Sequence, residues 1–161
     1  MRYASSALPW AFAATLLAQS ETKPIAIHTH EIDGVSIALM EVSRSNDIVT
    51  VKWEYRNKTK AQQVLASVSR GWSDPYRLSW DSYLADEKGH TKFPLLRDSG
   101  GYPVAAKHGQ PVQEIVVGPE KTLKTWAKYS VPPDVTTVSV FLNGTDPFES
   151  ISIANRPADQ K

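Results

Sequence analysis

Residues 49–56 alternate without a break, and few features restrict a chain's fold more. Val49, Val51, Trp53 and Tyr55 are apolar, and Thr50, Lys52, Glu54 and Arg56 between them are polar. Successive side chains of a strand point to opposite faces, so this segment reads as a strand with one buried face and one wet face. Val35, Ile37 and Leu39 make a similar face just before it, and Ser45-Asn46-Asp47 has the composition of a hairpin turn.

The pattern recurs to the end of the chain. Leu78, Trp80 and Leu84 share one parity, which assigns Trp80 to the core, and Asp86-Glu87-Lys88-Gly89 is a polar turn. His90-Thr91-Lys92-Phe93 returns from that turn, and Pro94 marks the returning strand as an edge, because proline cannot donate to a ladder. Val112–Val117, Leu123–Tyr129, the face of Val138, Val140 and Leu142, and Phe148–Ile153 complete the series. Gly118-Pro119, Pro132-Pro133 and Asn143-Gly144 separate them. Lys58–Val64 is the one segment after residue 20 read as a short helical turn, and the polar residues 154–161 read as a flexible tail. Roughly seven to nine short strands with turn signals at this rhythm predict an all-β, antiparallel sandwich. A sandwich is preferred to a barrel because 70–77 and 97–111 are irregular, as crossover connections are.

The first twenty residues do not fit this rhythm. Arg2 is followed by the apolar run Ala7–Ala18, and Ala18-Gln19-Ser20 places small residues before a cut ahead of Glu21. That order predicts a helical signal peptide over 1–20, a folded domain over 21–153 and a periplasmic or secreted destination. The run is interrupted by Pro9 and is shorter than the roughly 20 residues that span a bilayer, so no membrane span is expected after cleavage. The 18 basic and 17 acidic residues nearly balance, which gives no electrostatic reason to expect nucleic acid as a partner. The absence of cysteine excludes disulfides, thiolate metal sites and cysteine catalysis.

The second half carries a family resemblance. Its residues are Tyr83-Leu84-Ala85-Asp86, Lys92-Phe93-Pro94-Leu95-Leu96-Arg97-Asp98-Ser99-Gly100, Gly118-Pro119-Glu120, Trp126-Ala127-Lys128-Tyr129, Pro132-Pro133, Val138–Leu142 and Pro147-Phe148-Glu149. Over about residues 80–153 the chain resembles exported bacterial immunoglobulin-like, telokin-like domains of mostly unknown function. Some of these stand alone behind a signal peptide, and others precede a peptidoglycan-binding domain of the outer-membrane-protein-A type. The resemblance implies an immunoglobulin-like sandwich and carries over no catalytic residue. The chain shows no wall-binding domain after these strands, so wall anchoring is not implied. The Cys…Trp…Cys signature of antibody domains is missing, and Trp53 is left as the candidate core tryptophan.

Three groups of residues are candidate sites. His28 and His30 fall on one face of a strand and could open a metal site, which Glu31, Met40, His90 or His108 would complete. The structural alternative is an exposed polar strand. Residues 70–83 gather Arg70, Trp72, Tyr76, Arg77, Trp80 and Tyr83, the residue types that dominate binding hot spots. Trp72, Tyr76 and Arg77 are the binding candidates here, against a purely core role for the aromatics. The loop Arg97–Pro103 adds Arg97 and Tyr102, unless its glycines only serve a crossover and Arg97 and Asp98 only close the turn.

No G-x-S-x-G, H-E-x-x-H or phosphate-binding glycine loop is present, and Gly34 stands where a second zinc-protease histidine would follow His30-Glu31. Asn57-Lys58-Thr59 and Asn143-Gly144-Thr145 match the glycosylation pattern but read as turn asparagines. The sequence therefore points to a non-enzymatic module, without a cofactor, that binds a protein or cell-envelope component. A metal-binding protein using His28 and His30 and an enzyme with a dispersed site are the two alternatives.

Overall fold

The computed structural model describes residues 23–67, 74–86, 91–109 and 113–156. The leader expected over 1–20 lies outside the described residues. Eleven strands and no helix are found among them. The strands are β1 (Ala26–Thr29), β2 (Val35–Ser45), β3 (Ile48–Asn57), β4 (Gln63–Ala66), β5 (Tyr83–Ala85), β6 (Lys92–Pro94), β7 (Ile115–Val117), β8 (Thr122–Ser130), β9 (Thr137–Phe141), β10 (Phe148–Ser152) and β11 (Ala154–Asn155).

The alternating segment becomes β3, the centre of the larger sheet, which runs β1-β2-β3-β8 with β11 beside β2. The hairpin from β2 to β3 closes between Ser45 and Ile48, with Asn46 at φ 56°, a value asparagine tolerates better than most residues. A bulge between Leu39 and Glu41 resets the parity of β2. Val35, Ile37 and Leu39 are buried before it and Val42 after it, so Glu41 stays on the outer face, where Lys52 meets it at 3.0 Å. The smaller sheet runs β10-β9-β5-β6, all antiparallel. β6 is its edge strand, which is where Pro94 was expected to place it. β4 and β7 form a separate antiparallel pair.

The core lies between the two sheets, an arrangement consistent with a β-sandwich. Trp53, Tyr55, Val49, Val51 and Tyr129 come from the larger sheet, and Leu84, Val138, Val140 and Phe148 from the smaller. Each such burial stabilises by roughly 1.5–3 kcal/mol. After β6 the chain crosses back to the larger sheet, and Leu95 and Ala105 pair with Tyr129 and Ala127 along β8.

Three expectations are corrected. Lys58–Val64 forms no helical turn: a bend leads into β4 at Gln63. Asn57 explains this, because its side-chain amide donates to the carbonyls of Ala61 at 2.7 Å and Gly118 at 2.9 Å and draws the chain across to β7. Residues 78–82 are not a strand either. Asp74–Ser82 turns repeatedly, with Arg77, Ser79 and Ser82 each donating to the carbonyl three residues back. Leu78 and Leu84 are buried, but Trp80 is only half-buried. The expected tail is also ordered at its start. Ala154 and Asn155 pair in parallel with Ser43 and Arg44, and Arg156 reaches Glu41 at 2.7 Å.

Candidate functional site

Asp74 builds the first part of the site. Its Oδ1 accepts from the Tyr76 amide at 2.8 Å, its carbonyl accepts from the Arg77 amide at 3.1 Å, and its Oδ2 accepts from Trp80 Nε1. One carboxylate thus nucleates the turn and fixes the indole, as aspartate does in Asx turns. The plane of Trp80 is then covered by Arg97, whose guanidinium carbon lies 4.6 Å from the ring centroid.

Arg97 belongs to a tightly closed loop. Asp98 Oδ1 accepts from the amides of Gly100 and Tyr102, both at 2.9 Å, and the Asp98 amide donates to the Tyr102 carbonyl at 2.8 Å. Arg97 Nη1 donates to the Gly101 carbonyl at 2.9 Å, and Gly101 takes φ 79°. Arg97 and Asp98 do close the turn, but the outer face of the loop stays open. Tyr102 is 60% exposed, the highest value among the large hydrophobic side chains of the described residues.

Tyr76 links the two parts. Its ring lies 6.4 Å from that of Tyr102, and Lys107 Nζ lies 5.5 Å from its centroid. Tyr76 was expected to be exposed, but it is 8% exposed, because the turn directs it inward beside Leu78. It supports Tyr102 from beneath. Trp72 lies outside the described residues. The resulting surface is aromatic and cationic: Asp74 and Asp98 are occupied by local hydrogen bonds, whereas Arg97 and Lys107 form no ion pair within 4.0 Å among the described residues.

Arg77 does not join this surface. It lines a separate cleft of about 320 Å³ with His30, Glu31, Tyr55, Asp81 and Asn143. Sequence reasoning had no signal for this cleft, since its residues come from β3, β4 and three connections.

His28 and His30 both face inward, as their spacing requires, but each is already engaged. His28 stacks on Phe148 at 4.1 Å and bonds through Nδ1 to the Asp146 carbonyl at 3.1 Å. His30 meets Tyr55 edge-on at 5.7 Å, and its Nδ1 accepts from the Ile32 amide at 3.0 Å. Burial holds the His30 pKa below its usual value of 6.5, against the opposing pull of the Glu31 charge. Among the described residues no three His, Asp or Glu side chains are grouped to hold a metal ion.

Two further polar groups are buried deep in the core. The Tyr129 hydroxyl and Ser82 Oγ share a hydrogen bond of 2.7 Å, and burial raises the pKa of Tyr129 and pushes that of Tyr55 up to about 12.

Compared with known protein families, curated proteins and solved structures, the chain matches none. No described helix is long and apolar enough to cross a membrane.

Proposed function

We propose that this protein is an exported, non-enzymatic domain with an immunoglobulin-like, telokin-like sandwich that binds a protein or cell-envelope component. Its contact surface is formed by Tyr102, Arg97, Trp80 and Lys107. The observation that carries the reading is the Arg97–Trp80 stack at 4.6 Å, beside a tyrosine left in solvent on a closed loop. Aromatic residues and arginine supply most hot spots, and a loop already held in shape loses little entropy on binding. The two cations favour an acidic partner. Export rests on the order of residues 1–20, and the fold name on the resemblance in the second half.

Affinity capture from an envelope extract tests this reading. The wild-type protein and the Arg97→Ala/Tyr102→Ala variant are compared at matched melting temperature. A component retained by the first and lost by the second supports the surface. Identical capture by both contradicts it.

A further inference from the structure

The cleft beside β1 contains donors and acceptors that no other described residue engages. His30 is 7% exposed, and because the Ile32 amide donates to Nδ1, the neutral imidazole carries its proton on Nε2. That Nε2–H has no hydrogen-bond partner among the described residues, and it lies against Gly144, which also lines the cleft. The tautomer is fixed by a backbone bond, so the donor faces the cleft permanently.

Two more cleft residues lack partners of opposite charge. Arg77 uses Nη1 on the Ser67 carbonyl at 2.7 Å, and it makes no ion pair within 4.0 Å among the described residues. Glu31 makes no side-chain bond to them either. Among the described residues Asp81 accepts from the Asn143 carboxamide alone, at a long 3.4 Å. Leu65, Ala66 and Leu78 provide apolar lining. The cleft thus presents a guanidinium and an imidazole N–H for an anion, and two carboxylates for a cation. The volume of about 320 Å³ is at the small end of small-molecule sites.

We propose that this cleft binds the paired carboxylate and ammonium charges of a small zwitterion, those of a free α-amino acid or of the two ends of a dipeptide. Arg77 and His30 Nε2–H take the carboxylate, and Glu31 and Asp81 take the ammonium group. A simple anion would meet the two acidic side chains, and a simple amine would meet the guanidinium. Only a ligand carrying both charges satisfies all four. The site is separate from the aromatic surface, and neither needs the other.

The test uses the full chain with the common L-amino acids, their N-acetyl and C-amide derivatives, and simple dipeptides. Binding is followed by melting temperature and by the His30 imidazole resonances. At least one amino acid or dipeptide is expected to raise the melting temperature and move the His30 signals, with both blocked derivatives of that ligand inactive. A free amino acid as the best ligand assigns the site to metabolite binding, and a dipeptide assigns it to peptide ends. Arg77→Ala is expected to weaken binding about tenfold or more, and Glu31→Gln to weaken it independently. The proposal is overturned if no probe moves the His30 signals, if the blocked derivatives bind equally well, or if Arg77→Ala binds as the wild type does.

Discussion

The guanidinium of Arg44 holds the turn that begins at Pro132. Nη1 donates to the Pro133 carbonyl at 2.7 Å, and Nη2 donates to the carbonyls of Pro132 at 3.0 Å and Val135 at 2.7 Å. One buried side chain on β2 thereby fixes the connection from β8 to β9 and joins the two sheets. Arg44→Met keeps much of the apolar stem but leaves those carbonyls without their donor. It is expected to lower stability by roughly 2–4 kcal/mol in chemical denaturation.

Asn57 acts in the same way at the other end of β3. Its amide donates to three carbonyls, and its Oδ1 accepts from the Thr59 amide at 2.9 Å and the Thr59 hydroxyl at 2.8 Å. Asn57→Asp preserves the shape but places a carboxylate against three carbonyl oxygens. A loss of about 2–4 kcal/mol is expected, larger than that of Asn143→Asp, whose carboxamide makes one long bond among the described residues.

These two residues show how much of the molecule can be read from sequence. The alternation of 49–56, the shared face of Val138, Val140 and Leu142, and the edge position of Pro94 all appear in the fold, because each depends on local geometry. β4 was missed because all four of its residues are half-buried, which leaves no alternation to see. Residues 78–82 were misread as a strand because the turns begun at Asp74 imitate strand parity over two positions, although Trp80, half-buried, does pack against the core. Arg97 and Tyr102 were legible as members of one irregular loop, but the Trp80 ring beneath Arg97 depends on a crossover that no local pattern encodes. The cleft is still less legible, since His30, Tyr55, Arg77 and Asn143 meet only through long-range pairing.

Stability is expected to fall in acid in two stages. Burial holds both His30 and His108 below the usual 6.5. As the pH drops past 6.5 the unfolded chain takes up protons that the folded chain refuses, so stability declines until the lowered values are passed. Glu41 loses its contribution only below its usual 4.5, because bonds from Ser43 and Lys52 outweigh its burial and lower its pKa. Calorimetry from pH 8 to pH 2 should show both stages, and His30→Gln/His108→Gln should remove the first alone.

Two glycines separate backbone strain from steric conflict. Gly101 and Gly144 take φ 79° and φ 75°, but a Cβ at Gly101 meets open space, whereas one at Gly144 runs into the His30 ring. Gly101→Ala is expected to cost about 1–2 kcal/mol from the left-handed conformation. Gly144→Ala should cost more and displace the His30 resonances, which Gly101→Ala leaves in place.

Export predicts a defined end. Edman sequencing of protein recovered from the periplasm or medium should begin at Glu21. Recovery from the cytosol with Met1 or Arg2 still attached would contradict the reading of the leader.

Photo-crosslinking in the intact cell tests the proposed binding surface most directly. A photoreactive phenylalanine is placed at Tyr102 in one strain and at Ile27, exposed on strand β1, in another. The account predicts a discrete adduct from position 102, lost when Arg97 is also changed to Ala, and none from position 27. Adducts from position 27 alone, or none from position 102, would place the partner elsewhere and contradict it.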